Sequence, residues 1–463
     1  MKLKNKGIKI HLPVSLLFLI FIVNMIIFAS CQRKKNSNAL YIEPPISYES
    51  DTPQVSWNIL FKQGTGKTAR EKIITKIQDA VKNSYVDYYK TTGKDYRPKF
   101  FPVIWCPCDS LLYNMGFSSV DGSGGSVSKP PTGRPTIPGS GENIASFVDN
   151  INISEPDSGI IEFNQYQRDT VPVKNITINK TKKLAIIDSG IDTLLFSPNI
   201  KKLIWRDNMP STLFNFLPFQ NQADLRDGTR QRHGSAVTAT VIKAMENAGT
   251  YPKLMILKAL DNKNKGTIFS VSCALSYAIQ KEADIINLSL GYYGQPDPIL
   301  EHYLSLCSSP NRSIDVFAAA GNMPNQHSSV NLCNNHFNNN ELTAKRLFYP
   351  ACFSTQFTNL TAVTQLSSAG RQCFYQNFSH QFVTLGIFDR TNCCAIKVAF
   401  LGHNPSYFEG SSFATPVASG LKMEAMLQSA TTPSAFWNSL IKINTSPQVT
   451  VQGKYIEYDP TWP

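Results

Sequence analysis

The sequence predicts an α/β protein: a doubly wound, mainly parallel sheet with helices on both faces, preceded by a small α+β unit. Three observations carry that reading. Short, nearly continuous apolar runs recur at KLAIID (183–188), KLMILKAL (253–260), ADIINLSL (283–290) and IDVFAAAG (314–321), each bounded by polar residues or glycine. Between them lie HGSAVTATVIKAMENA, TIFSVSCALSYAIQKEA and ILEHYLSLCSS, which read as helices. Strands apolar on both faces, alternating with helices, are what a parallel sheet covered on two sides requires. A Gly/Ser/Pro-rich stretch then separates this region from an amino-terminal segment of different rhythm.

The elements follow in order along 463 residues, room for a catalytic-size domain and something smaller. Lys2, Lys4, Lys6 and Lys9 precede an apolar run from Leu12 to Ala29. A positive start, an apolar middle and small residues at the end make an export signal. Ala29-Ser30-Cys31 resembles the end of a bacterial lipoprotein signal, so residues 1–30 are expected to be a signal peptide and Cys31 the lipidated residue. An uncleaved membrane anchor is the alternative. Both readings place the chain in the cell envelope, membrane-anchored and facing the periplasm or exterior. Residues 31–54, with prolines and no clear period, read as a tether.

From Val55 to residue 115 a small α+β unit is expected. VSWNILFK alternates like a strand, and Ile73, Ile74, Ile77 and Val81 mark one face of an amphipathic helix. KFFPVIWCPC reads as a further strand and SLLYNM as a short helix. GTGKT (64–68) has the look of a phosphate loop, but the full pattern needs glycine where this chain has Phe61, so nucleotide binding is excluded. Residues 116–165 read as a linker, and 166–463 as the large α/β domain.

Composition narrows the function. The formal net charge is +12, but lysines and arginines are interspersed with acids and form no block. That argues for a solvated surface or an anionic membrane or wall neighbour, and against a nucleic-acid partner. Besides Cys31 there are nine cysteines, which leaves at least one outside any disulfide set. Cys106-Pro-Cys108 and Cys393-Cys394 match no paired zinc spacing, and no metal or other cofactor is expected.

Parallel sheets place their chemistry at the carboxyl ends of the strands. The first strand ends there in Asp188-Ser189-Gly190. His233-Gly234 opens a helix, where an imidazole projects from the sheet edge. DVFAAAG runs into Asn322, a carboxamide placed to donate to a developing oxyanion. Gly410-Ser411-Ser412 enters another helix, whose first-turn N–H groups lack intrahelical acceptors. Ser411 alone would be a good helix cap. Pro416, just past the first turn, costs a backbone bond that capping does not explain. Taken singly, each is a turn former, a surface histidine or a cap.

Together, in the order Asp, His, Asn, Ser, they resemble the subtilisin-like serine proteases, the subtilase or peptidase S8 family. AIIDSGID resembles that family's aspartate motif, HGSAV its histidine motif, AAAGN its oxyanion motif and GSSFATP its serine motif. INLSLG (286–291) resembles the strand lining the substrate cleft. The resemblance implies a subtilisin-like fold from about Lys182 to about residue 430. It also implies a catalytic set of Asp188, His233 and Ser412, an oxyanion donor in Asn322, and substrate binding by Ser289, Leu290 and Gly291. Only the resemblance separates Ser412, the nucleophile, from its small neighbour Ser411. The implied activity is endopeptidase hydrolysis of a protein or peptide substrate, with residues 55–115 read either as an accessory domain or, as many relatives carry one, as an inhibitory prosegment. The other reading is a non-catalytic surface lipoprotein using the fold as a binding module. The chain departs from the family in carrying Ala236 where a second histidine is common, and in a long polar stretch from Pro324 to Leu347.

Overall fold

In β1 (Val55–Phe61) successive side chains point to opposite faces, and both faces are used. Trp57, Ile59 and Phe61 pack on α1 (Lys67–Thr92) through Ile73, Ile74, Ile77, Val81 and Tyr85. Leu60, on the other face, joins a second apolar cluster that belongs to the large domain. Helix α1 stops at Gly93, whose φ of 70° turns the chain out of the helix while its N–H closes on Tyr89 O at 2.8 Å. β2 (Tyr96–Phe100), β3 (Ile104–Cys106), β4 (Asp109–Asp121) and β5 (Ile144–Asp149) complete a sheet of order β2-β4-β1-β5, with β3 on β4.

The computed structural model describes residues 53–121, 134–135, 140–154, 176–207, 214–218, 220–309, 312–322, 340–368, 371–373, 376–390, 394–400, 406–428, 433–444 and 450–459. Residues 1–30, read above as a signal peptide, Cys31 and nearly all of the stretch read as a tether lie outside them. Two expectations are corrected. SLLYNM is not a helix but part of β4, because Tyr113, Met115 and Phe117 alternate onto the α1 face and β4 pairs with both β1 and β2. The stretch from 116 is not all linker: residues 116–121 finish β4, and β5 and β6 (Asn152–Ser154) follow. Cys106-Pro107-Cys108 is the tight connection between β3 and β4.

The large domain starts with β7 (Thr177–Asp188), α2 (Pro198–Lys201), α3 (His233–Ala244), β8 (Thr250–Lys258) and β9 (Lys265–Thr267). Next come α4 (Ile268–Gln280), β10 (Ile285–Leu288), β11 (Tyr292–Tyr293), α5 (Pro298–Cys307), β12 (Ser308–Ser309) and β13 (Arg312–Ser313). β14 (Asp315–Ala319), β15 (Phe348–Tyr349), β16 (Leu360–Ser368), β17 (Arg371–Gln372) and β18 (Leu385–Asp389) follow. β19 (Ile396–Val398), β20 (Ser406–Phe408), α6 (Ser411–Leu427), α7 (Pro433–Leu440), β21 (Ile441–Ile443) and β22 (Lys454–Tyr458) end it.

The main sheet runs β21-β22-β18-β16-β14-β10-β7-β8, parallel from β22 to β8, with β21 and β17 added antiparallel. Alternation within β7 shows how two layers form. Leu184 and Ile186 meet Val237 and Val241 of α3 and Phe413 and Val417 of α6. Ala185 and Ile187 meet Val271 and Leu275 of α4 and Leu300 and Leu304 of α5. A disulfide joins Cys373 to Cys394; Cys106, Cys108, Cys273, Cys307 and Cys352 are thiols.

The small unit sits on α4 and α5. Tyr303 donates to Asp109 Oδ2 at 2.5 Å, and Ile268 N–H donates to Ile151 O at 3.0 Å. β6 adds antiparallel to β9, and Ser154 exchanges two backbone bonds with Gly291, at 3.2 and 3.0 Å. Among the described residues no helix is long and apolar enough to cross a membrane.

Candidate active site

The end of β7, the start of α3 and the loop at Leu225 approach so closely that only glycine fits at Gly190 and Gly234. A methyl at Gly190, where φ is 105°, would sit 2.2 Å from Leu225 O, and one at Gly234 would sit 2.3 Å from Gly190 O. That approach sets His233 Nδ1 2.8 Å from Asp188 Oδ1, with both side chains buried. Facing a carboxylate, Nδ1 carries the proton and Nε2 is the basic end. Asp188 Oδ1 also accepts from Ser189 N at 2.7 Å, and His233 N donates to Thr229 Oγ1 at 3.0 Å.

Beneath this pair lies Asp227, fully buried. It accepts from Ser189 Oγ at 3.2 Å, Thr229 Oγ1 at 2.8 Å, and Ser235 N and Oγ at 2.9 and 2.8 Å. It thus ties the residue after Asp188 to residues on both sides of His233. Lys258, 2% exposed at the end of β8, donates to Ser189 O at 2.8 Å and Arg226 O at 2.6 Å. Burial lowers its ammonium below the usual lysine range, and the surrounding carboxylates, Asp227 foremost, oppose that drop.

On the opposite side, Ser411 organises the end of β14. Its Oγ accepts from Gly321 N at 3.0 Å and faces Asn322 Oδ1 at 3.2 Å, which also accepts from Ser411 N at 3.1 Å. With Oδ1 held from Ser411, the Nδ2 end of Asn322 is turned away from it. Ser412 Oγ donates to Ser289 O at 3.3 Å, and Ser289 Oγ donates to Ser412 O at 2.7 Å. The second bond explains Pro416. A proline four residues after Ser412 cannot supply the helical N–H for the Ser412 carbonyl. Ser289 supplies a donor instead and so fastens α6 to the segment after β10. Asn287 Nδ2 in turn donates to Ser289 Oγ at 3.0 Å, and Ser419 Oγ to Asn287 Oδ1 at 3.1 Å. Phe413 packs its ring 5.2 Å from the imidazole of His233.

Asp188, His233, Asn322, Ser412 and the Ser289-Leu290-Gly291 segment are therefore gathered at one end of the sheet. Cys31 lies outside the described residues. Among the described residues no group of His, Cys, Asp or Glu is arranged to hold a metal ion. Sequence reasoning missed Asp227, Lys258 and the part played by Ser411. A signal existed for Lys258, a lysine closing the apolar run Leu254–Leu257; Asp227, in a polar loop, offered none.

The model of the subtilase family, peptidase S8, matches residues 179–443. Subtilisin-like protease 1 of Plasmodium berghei (strain Anka) is 25% identical over 322 residues, 61% of this chain and 50% of that protein. Subtilisin-like protease 3 of Plasmodium falciparum (isolate 3D7) is 27% identical over 191 residues, 39% of this chain and 22% of that protein. The chain spans half the length of the first and less of the second.

Proposed function

We propose that this chain, which belongs to the subtilase family, is a serine endopeptidase. Ser412 Oγ attacks a peptide carbonyl, and His233 Nε2 takes its proton and later returns it to the leaving amine. Asp188 holds the imidazole in the required tautomer and stabilises its positive form. Asn322 Nδ2 and the Ser412 N–H, in the first turn of α6, donate to the oxyanion of the tetrahedral intermediate. The observation that carries this reading is the buried 2.8 Å contact between Asp188 and His233, beside the residue that follows Ser412. A fluorophosphonate should label the wild type at Ser412 and leave Ser412→Ala unlabelled. Peptide hydrolysis should fall by about 10⁴-fold or more in that variant. Unlabelled wild type, inert toward casein and peptides, would favour the binding-module reading.

The small unit is proposed as an intramolecular inhibitory prosegment. Its support is the seating of β6 between β9 and Gly291, two residues along the chain from Ser289, which bonds Ser412. Mass spectrometry should find wild-type chains cut between 116 and 181 and Ser412→Ala chains intact; identical intact chains would oppose self-processing. The amino terminus adds a location, an exported chain held at a membrane through Cys31. Cys31→Ala should release the protein into the soluble fraction.

A further inference from the structure

The ring of Phe348 lies against both Gly291 and Gly321, one residue from each of the two backbone segments that flank Ser412. Two backbone segments flank Ser412: Ser289-Gly291, bonded to it through Ser289, and Gly321-Asn322, bonded to Ser411. A carbonyl held at Asn322 and attacked by Ser412 puts its own side chain between those segments. A ring already lies there. A methyl built on Gly291 would meet the Phe348 ring at 2.4 Å, and one built on Gly321 would meet it at 2.9 Å. One side chain thus touches both walls, and Phe348 is only 2% exposed.

The ring is held in place from several directions. β15 pairs with β11, setting Phe348 opposite Tyr293, with ring centroids 4.9 Å apart. Tyr293 in turn donates to Asn322 O at 2.8 Å and lies under the Arg346 guanidinium, 5.2 Å from the ring centre. Asn377 Nδ2 braces the same region through Tyr293 OH at 2.7 Å and Ala320 O at 2.8 Å. A plug locked by a strand pair, a stacked arginine and a buried amide does not swing aside as a lone surface phenylalanine would.

We infer that Phe348 is a specificity-determining residue that makes this pocket shallow, so that the enzyme cleaves after small residues (glycine, alanine or serine) and rejects large apolar and aromatic ones. The inference rests on the serine endopeptidase reading and deepens it. The test uses the full chain and a set of peptidyl diphenyl phosphonates differing only in the residue beside phosphorus, with Ser412 labelling followed by mass spectrometry. In the wild type the alanine probe should label at least about 10²-fold faster than the phenylalanine probe. In Phe348→Gly that ratio should fall at least about tenfold. Phe348→Leu, which keeps an apolar plug of lesser depth, should admit leucine ahead of phenylalanine. Wild-type labelling as fast with phenylalanine as with alanine overturns the inference, as does a wild-type ratio retained in a folded Phe348→Gly. If neither variant folds, the wild-type ratio alone decides. Failure of every probe, including a simple fluorophosphonate, in both the full chain and its Ile153→Asp variant would instead remove the endopeptidase reading and this inference with it.

Discussion

Asp227 forms its hydrogen bonds away from Ser412 and the Ser289-Gly291 segment: its carboxylate collects donors from Ser189, Thr229 and Ser235. Those three residues flank Asp188 and His233, so the carboxylate acts as a positioning group. Asp227→Asn keeps the shape but turns one acceptor into a donor, aimed at the N–H and hydroxyl of Ser235 or at Thr229 and Ser189. The imidazole then loses its fixed approach, and misplacement by about 1 Å costs about 10²-fold in rate. The prediction is a fall in kcat of that order with KM changed less than about twofold, since the Ser289-Gly291 segment is untouched. A rise in KM at constant kcat would show that Asp227 acts on binding instead. This is also the scale at which the sequence was least legible. Asp188, His233, Asn322 and Ser412 sit in motifs at strand and helix ends, but Asp227 belongs to a loop (Asn221–Arg232) whose path no periodicity encodes.

Among the elements, α6 carries the clearest conflict between local propensity and tertiary structure. Its Pro416 removes one helical bond, and Ser289 supplies the donor that the Ser412 carbonyl lacks. A double-mutant cycle follows. Ser289→Ala in the natural background leaves a buried carbonyl without its donor and should cost about 1–3 kcal/mol in denaturant melts. In a Pro416→Ala background the restored helical N–H reaches the same carbonyl, so the same change should cost at least about 0.5 kcal/mol less. Equal costs in the two backgrounds would mean that Pro416 and Ser289 are unrelated. The strands and helices of the large domain were legible because parallel strands buried on both faces leave continuous apolar runs. β4 was not. Its DSLLYNM opening is too short to separate periods of two and 3.6, and pairing with β1 and β2 decides it.

At the scale of the whole molecule, the small sheet uses one face for α1 and the other for the large domain, which explains why Leu60 and Leu112 are buried although they point away from α1. No reading of β1 or β4 alone reveals that second partner, and the Gly/Ser/Pro composition after residue 121 conceals β5 and β6 behind it. The unit ends in β6, where Ile153 is fully buried in one cluster with Leu260, Phe269 and Leu290. Ile153 is thus the apolar anchor of the strand bonded to Gly291. Ile153→Asp would place an unpaired carboxylate in that cluster, a cost of several kcal/mol if it stays. The strand relieves that cost by leaving Gly291, and each ~1.4 kcal/mol of bias changes the open population about tenfold. The prediction runs opposite to ordinary damage: fluorophosphonate labelling of Ser412 in the full chain should accelerate at least about tenfold, with the main unfolding transition of the large domain retained. A conservative Ile153→Val should leave the rate near that of the natural chain. Slower labelling in Ile153→Asp, or an equal rate in a folded protein, would show that β6 does not restrict access to the serine.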